Sequence, residues 1–434
     1  QVMLGDSTFT FEWLTLSQLG SDVAASSRSH IRSPRVETRY AGAEFVGPEL
    51  PSEQENQPFP WLAMIAPILV GGVLFAFTHS PMSLVFVALS PVLLLGNFFS
   101  NKANRKRKFR LATGKFREQL SNLDQVLSAE VGVETASRLE EAPSTAAVVE
   151  QARALGPLLW TRRAEHWNFM SVRLGLASQT SRNSISLKDV ESALPEFLAE
   201  AKQLEQRYAK VDSVPVSESL YSSGALGIAG SAQGASDVAR AVLAQLAGLH
   251  SPTEVVIAAI VGGASTADFE WLKWLPHSSS AHSPLSVAAL ANSAPSASAL
   301  IADIEGLIAA RSSGAAQHRG ALTIEGSFLE AGAVAAREPE RVAPPLLPVP
   351  AVVLLITEDA PADIARLVQL AERGVDAGVY PIWVTSSVDR LPAAARTFVD
   401  AEAGEVSIVR AGTVVAGVQF EKLAAGAALD FARR

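Results

Sequence analysis

One stretch of the chain has the spacing of a phosphate-binding loop. A working loop reads G-x-x-x-x-G-K-[ST]: backbone amides hold the phosphates, the lysine reaches the β and γ oxygens, and the hydroxyl holds magnesium. The span 229–236, AGSAQGAS, keeps the second glycine and the hydroxyl at Gly234 and Ser236, whereas Ala229 replaces the first glycine and Ala235 replaces the lysine. Without that cation no group offsets the charge of a transferred phosphoryl, so we expect a catalytically degenerate loop.

The magnesium side of such a site would be an acidic residue after another apolar strand. Glu358 and Asp359 follow the run AVVLLIT and have that position. Acidic residues after a strand more often cap a helix or face solvent, so we expect both to be non-functional, like the loop around Gly230. Ser386 and Ser387 follow YPIWVT where a sensor residue would lie, but small polar residues are common at strand ends.

Composition excludes several other chemistries. The 434 residues contain no cysteine, which removes disulfides, Cys-ligated zinc and thiol catalysis. The seven histidines have no metal-binding spacing, and no G-x-S-x-G elbow is present. A net charge of −8 with few aromatic residues argues against a general nucleic-acid binder. Trp271 and Trp274, in EWLKWLPH, are expected to be core or subunit-contact anchors rather than base-stacking residues.

Apolar runs alternate with helical patterns over the second half of the chain. This alternation predicts crossover units, a mostly parallel sheet and therefore an α/β fold. We predict strands at 169–176, 226–229, 255–261, 351–356 and 380–385, helices at 237–249 and 364–373, and a loop at 331–350.

Two uncharged runs indicate a membrane hairpin at 61–99. The runs 61–78 and 82–99 are each about 18 residues, or roughly 27 Å as helices, which is close to the thickness of a bilayer's hydrocarbon core. His79-Ser80-Pro81 alone joins them, so both ends emerge on one side. Basic residues directly follow the hairpin, and we place that side in the cytoplasm and assign these residues to lipid headgroups. They are Lys102, Arg105, Lys106, Arg107, Lys108, Arg110, Lys115 and Arg117.

The remaining regions are a β-domain remnant, a linker and a helical stalk. Phe9, Phe11 and Trp13 alternate with polar residues, which predicts a strand in a remnant at 1–14, and 15–60 is rich in Ser, Pro and charge, as in a linker. Helices from Asn101 to about 132 and from about 144 to 155 form a stalk at 100–157, or else the first helices of the globular domain at 158–434. The chain begins at Gln1 rather than Met, so we expect it to be part of a longer protein.

The order of these segments resembles a known family. The hairpin and basic stalk are followed by LLWTRR at 158–163, FMSVRLGL, the span 224–252 around the defective loop, and EWLKWLPH at 270–277. This is similar to the N-terminal part of the FtsK/SpoIIIE-type ATPases of type VII secretion systems, the EccC/EssC family. The resemblance covers about residues 50–434.

The resemblance implies a RecA/FtsK-like, P-loop-ATPase-like fold whose first domain commonly lacks a proper phosphate loop. It implies a multi-pass inner-membrane motor subunit with cytoplasmic termini, which is a hexameric homo-oligomer, assembles with other secretion components and exports WXG100-type proteins. ATP and magnesium would bind downstream ATPase domains and not this segment. Some proteins of this type carry a forkhead-associated domain before the hairpin, of which 1–14 would be the tail. The alternatives are a DNA translocase of the FtsK/SpoIIIE kind and a membrane-bound phosphopeptide-sensing signalling protein.

Overall fold

The computed structural model describes most of the chain after residue 81. The described residues are 2–4, 7–9, 31–34, 39–52, 81–326 and 348–433, together with Trp61, Ile65, Leu69 and Val73. For 2–9, 81–95 and 314–326 the backbone alone is described. The predictions for 10–14, for most of the first apolar run and for the loop up to 347 lie outside these residues.

The described helices are distributed along the whole of this part. They are α1 (Pro81–Glu141), α2 (Thr145–Arg153), α3 (Pro195–Tyr208), α4 (Leu220–Ser223), α5 (Ala232–Leu249), α6 (Thr266–Phe269), α7 (Ala294–Gly326), α8 (Ile364–Gly374) and α9 (Ala425–Arg433).

The described strands form four sheets. They are β1 (Val2–Leu4), β2 (Ser7–Phe9), β3 (Glu44–Val46), β4 (Ser171–Thr180), β5 (Ser184–Ser186), β6 (Lys210–Ser219), β7 (Leu226–Ala229), β8 (Val255–Ile260), β9 (Leu290–Ala291), β10 (Ala351–Thr357), β11 (Val379–Thr385), β12 (Thr397–Asp400), β13 (Glu405–Ile408), β14 (Thr413–Val415) and β15 (Gln419–Phe420).

The largest sheet is mostly parallel, as predicted. Its eight strands have the order β14-β13-β12-β7-β11-β10-β8-β9, and only β13 runs opposite to the others, so that its pairings with β12 and β14 are antiparallel. Strands β7, β8, β10 and β11 are buried along their whole length, because helices cover both faces of the sheet. The predicted strands at 226–229, 255–261, 351–356 and 380–385 are thus confirmed to within one or two residues.

Helix α5 lies between two sheets. One side packs on the large sheet, and the other faces the antiparallel sheet of order β15-β4-β6. From Ala235 to Leu249 only Asp237 is not buried, since neither side of the helix faces water. Helices α7 and α8 cover the opposite face of the large sheet. The phosphate-loop region therefore lies at the N-terminus of a helix that is enclosed on both sides.

The first of the two predicted stalk helices is longer than expected, whereas the second is confirmed as α2 (Thr145–Arg153). The prediction of a helix starting at Asn101 and ending near Gly132 is corrected, because α1 runs without a break from Pro81 to Glu141, 61 residues or about 90 Å. Gly114 and Gly132 lie inside it. One face of its C-terminal half packs on α3 and β6 through Phe116, Leu123 and Leu127. This tertiary packing outweighs the weak helix propensity of the glycines.

The membrane hairpin is not supported by the described residues. The second apolar run belongs to α1, and the first is helical at the four positions described. Within the described ranges, no helix combines the length and the hydropathy that a membrane span requires. The hairpin stays a prediction, as do the domain bounds.

Part of the predicted linker is ordered. Within 15–60, residues 44–46 form β3, which pairs in parallel with β5. Tyr40 donates its hydroxyl to Glu130 of α1 and to Asn183, both at 2.8 Å, and its backbone N–H donates to Glu141. The segment 39–52 is therefore packed against the stalk. Sequence alone did not indicate this contact, because its partners lie about 90 to 140 residues away in the chain.

Candidate functional site

The predicted phosphate loop lies at the edge of the sheet where nucleotides usually bind. In parallel sheets ligands bind beyond the carboxyl ends of the strands. Ala229 ends β7 at that edge, Glu358 and Asp359 follow β10, and β11 lies between the two strands. Strands are spaced by about 4.8 Å, so the two predicted halves of the site are about 10 Å apart. The structure thus brings the sequence-predicted residues to one edge.

The loop itself is too short to surround a phosphate. In a working motif the G-x-x-x-x-G-K-[ST] residues connect strand to helix, whereas here α5 already begins at Ala232 and only Gly230 and Ser231 remain as the connection. The Ser231 side chain caps the helix by accepting from the Gly234 N–H at 3.3 Å. An N–H group that would face a phosphate is therefore occupied by the protein's own hydroxyl.

The hydroxyl that would hold magnesium is also engaged. Ser236 donates from Oγ to Oδ2 of Asp268, in α6, at 3.0 Å. Oδ1 of the same carboxylate accepts from the fully buried Arg240 guanidinium at 3.0 Å. Arg240 also donates to the Leu423 carbonyl at 2.8 Å and pairs with Asp237. Sequence analysis missed Asp268 and Arg240, because only the fold brings α6 beside α5.

Ala235, at the lysine position, is part of the hydrophobic core. It is 1% exposed and belongs to the cluster between α5 and the sheets. The small side chain fits a site with no space for an extended amine, so the substitution is consistent with the surrounding packing.

Glu358 and Asp359 act as caps for neighbouring loops. Glu358 accepts from the Ser386 N–H at 2.7 Å and pairs with Arg390, and the Ser386 hydrogen bonds lower its pKa. Asp359 accepts from the Ala264 and Ser265 N–H groups, the Ser265 hydroxyl and the Thr357 hydroxyl, at 2.7 to 3.2 Å. Burial raises the pKa of Asp359, but these hydrogen bonds outweigh it and the pKa is lowered.

Asp359 thus accepts four hydrogen bonds and Glu358 accepts two, all from the protein's own groups. No group of three or more His, Cys, Asp or Glu residues within the described ranges could hold a metal ion. That both residues are non-functional stays a prediction.

The chain is similar in sequence to several curated secretion-system proteins. EccC4 of the ESX-4 secretion system of Mycobacterium tuberculosis is 31% identical over 125 residues, 28% of this chain and 10% of that protein. EccC of the ESX secretion system of Thermomonospora curvata is 27% identical over 247 residues, 53% of this chain and 18% of that protein. YukB of Bacillus subtilis is 22% identical over 242 residues, 54% of this chain and 16% of that protein. The chain is thus similar in sequence to the EccC/EssC proteins of type VII secretion systems.

The matched region is a small part of these EccC/EssC relatives, from 10 to 18% of their length. No model of a protein family matches the chain. Solved structures of ATPases 2 and 3 are similar to it at low TM-scores. For Thermomonospora curvata EccC in complex with a signal sequence peptide, the TM-score is 0.36 at 16% identity, covering 63% of this chain and 47% of that chain. For Geobacillus thermodenitrificans EssC, the TM-score is 0.39 at 14% identity, covering 64% of this chain and 50% of that chain. The similarity to EccC/EssC proteins rests on the sequence matches.

The two tryptophans that contribute to the EccC/EssC resemblance have different environments. They lie in the 3-10 helix Glu270–Trp274. Trp271 is 2% exposed and makes an edge contact with Phe431, whereas Trp274 is 48% exposed under the guanidinium of Arg433. Trp271 is therefore a core anchor, as expected, and Trp274 is a surface residue.

Four arginines line a polar cavity of about 130 Å³ where the stalk of this EccC/EssC relative meets the globular domain. Arg162 donates to the Glu141 carbonyl and Arg173 to the Ala142 carbonyl, each at 3.1 Å, at the end of α1. Arg138 donates to the Thr180 carbonyl of β4 at 3.1 Å, and Arg182 pairs with Glu141. Guanidinium groups suit the negative end of a helix. These contacts join α1 to β4.

Proposed function

We propose that this chain is the membrane anchor, stalk and catalytically degenerate ATPase-like domain of a type VII secretion motor. It couples a membrane complex to downstream ATPase domains, which bind ATP and magnesium and export WXG100-type proteins. The closed phosphate loop carries this proposal: α5 begins before the loop can surround a phosphate, and Ser236 is bound to Asp268.

The strand order supports an ATPase-like rather than an unrelated α/β domain. The loop strand β7 and the acidic strand β10 lie on either side of β11, with their carboxyl ends at one edge. This arrangement retains the position of a P-loop-ATPase-like, RecA/FtsK-like site while its chemical groups are replaced. A domain of this kind suits docking and coupling rather than turnover.

The path of the chain leaves enough length for the proposed hairpin at 61–99. Leu50 packs in the same cluster as Phe116, and Glu49 pairs with Lys115 at 2.8 Å. Along α1, Pro81 lies about 52 Å from Phe116. In the proposed hairpin, the eight residues between 52 and 61 could span up to about 27 Å and a helix of 20 residues would span about 30 Å, which together would cover that distance beside α1.

The described positions of the first run are apolar and solvent-accessible. Trp61, Ile65, Leu69 and Val73 recur at every fourth residue with exposed fractions of 45 to 65%. Such a stripe on one face of a helix favours contact with lipid or with another apolar helix. The stripe supports our proposal that the chain is anchored in the plasma membrane, with both termini in the cytoplasm.

The joint between stalk and domain supports a coupling role. Arg162 and Arg173 bond the end of α1, Arg138 bonds β4, and Tyr40 fixes the segment before the hairpin to the same helix. A displacement of the membrane segment would be transmitted to the α/β domain through these bonds. Other secretion components, and further copies in a hexamer, would act on it through this rigid body.

Steady-state ATP hydrolysis tests the degenerate site. We expect the detergent-solubilised chain to show no turnover above the blank, whereas typical enzymes turn over at about 1 to 1,000 per second. Turnover that is abolished by Ser236→Ala would overturn the proposal.

Membrane topology can be tested by single-cysteine labelling, because the chain has no cysteine of its own. In intact cells a membrane-impermeant maleimide should label Ser80→Cys in the turn and not the matched stalk variant Ser121→Cys. Labelling of the stalk variant alone, or of neither, would contradict the hairpin.

A further inference from the structure

The N-terminal half of α1 carries five cations that we call the collar. They are Lys102, Lys106, Arg107, Lys108 and Arg110. All five side chains are exposed. No Asp or Glu occurs from 81 to 117. The five residues form no ion pair with any part of the chain that the structure describes. Their positive charge is therefore not neutralised by described neighbours.

The collar surrounds the helix. At about 100° per residue, the widest gap between neighbouring side-chain directions is about 120°. A ring of this kind suits a surface that the helix crosses, because every side then meets the same chemistry. A groove of duplex DNA, by contrast, would contact one face of the helix only.

The collar also lies at a defined distance from an apolar boundary. Phe99 is 62% exposed, and along the axis the five cations follow it by about 5 to 17 Å. That interval corresponds to the headgroup layer of a bilayer whose hydrocarbon core ends at Phe99, extended by a Debye length of about 8 Å.

Two cations further along α1 have a different role. Lys115 pairs with Glu49 at 2.8 Å, and Arg117 lies 3.9 Å from Glu200 of α3. They are about 24 and 27 Å beyond Phe99 and attach the stalk to the globular part. The helix therefore changes from unneutralised to paired cations with distance from the apolar boundary.

Resting on the proposed membrane anchor, we propose that the collar binds the phosphate groups of anionic lipids and selects them over zwitterionic lipids. Each cation near a membrane surface contributes up to about a fivefold preference. The ring sets the depth of α1 in the bilayer, and the rigid helix transmits that position to the joint at Glu141.

The experiment reconstitutes the full chain in phosphatidylcholine vesicles that contain a trace of spin-labelled phosphatidylglycerol or phosphatidylcholine. The motionally restricted fraction of each label gives the relative association of the two lipids. The test variant is K106Q/R107Q/K108Q. The matched control is K188Q/K202Q/K210Q, which removes the same charge from exposed positions on the globular part.

We expect the wild type and the control to prefer phosphatidylglycerol several-fold, and the collar variant and 0.5 M NaCl to reduce that preference toward one. Equal association of both lipids with the wild type would overturn the proposal. Preferential competition by inorganic phosphate at matched ionic strength would assign the collar to free phosphate instead, and competition by duplex DNA would assign it to nucleic acid. Extraction of the wild type from vesicles by alkaline carbonate would contradict the membrane anchor itself, a separate failure.

Discussion

Replacement of Asp268 tests whether Ser236 has a structural or a catalytic role. The Asp268→Ala variant leaves the Ser236 hydroxyl, in a residue 5% exposed, without its acceptor and removes a charge-assisted bond from the fully buried Arg240. An unpaired buried donor costs about 1 to 3 kcal/mol and a bond to a charged group contributes about 1.5 to 3 kcal/mol. Arg240 keeps Asp237 and the Leu423 carbonyl, and the Asp268 side chain is 38% exposed, so we expect a loss of about 3 kcal/mol.

Two further variants should lose less free energy of unfolding than Asp268→Ala. Asp268→Asn keeps an acceptor and loses the charge, so the free energy of unfolding should fall by about 1.5 kcal/mol. Ser236→Ala removes only the hydroxyl and should cost about 1 kcal/mol or less. Asp212→Ala, at an exposed aspartate of β6, is the matched control and should leave stability unchanged.

Urea unfolding of the full chain, followed by tryptophan fluorescence, measures these losses, and Trp271 lies close to the network. The reasoning fails if Asp268→Ala unfolds like the wild type. It fails equally if Ser236→Ala leaves the unfolding curve unchanged while it removes binding or hydrolysis of ATP, because the hydroxyl would then serve magnesium rather than Asp268.

Three other outcomes are expected. Burial lowers the pKa of His250 to about 3 and that of His277 to about 4, whereas unfolded histidine titrates near 6.5. Because the unfolded chain then binds more protons, the free energy of unfolding should fall by up to about 2.7 kcal/mol per pH unit as the pH falls from about 6.5 toward 4. The variant His277→Gln should halve that slope in urea titrations. Tyr40→Phe removes the hydroxyl bonds to the stalk and should speed amide hydrogen exchange in 39–52 about tenfold without changing α5; equal exchange would show that these bonds do not hold the segment. The double variant A229G/A235K restores the motif letters but not the loop, so it should gain no ATP turnover; measurable turnover would show that the missing side chains alone disable the site.

Four strands of the large sheet could be predicted because each is a short apolar run bounded by turn residues. β7, β8, β10 and β11 are buried on both faces, and such strands appear as continuous apolar sequence. The polar or mixed strands β6, β12, β13 and β14 were not predicted, since they are paired by tertiary context and have no continuous apolar run.

The residue types at the motif positions could be predicted from the sequence, whereas the geometry of the site could not. The spacing around Gly234 and the missing lysine indicated a defective loop. The early start of α5 depends on the Ser231 cap, and the occupation of Ser236 depends on Asp268, which is 32 residues away in the chain. Contacts of that kind have no signature in a single sequence, and the same holds for the arginine joint at Glu141.

The account rests on a nucleotide site that is closed by the protein's own groups. Titration of magnesium-ATP into the full chain in detergent, followed by calorimetry, tests this most directly. We predict no saturable heat up to about 1 mM ATP, an affinity that corresponds to about −4 kcal/mol. Saturable binding in the micromolar range that Ser236→Ala abolishes would contradict it.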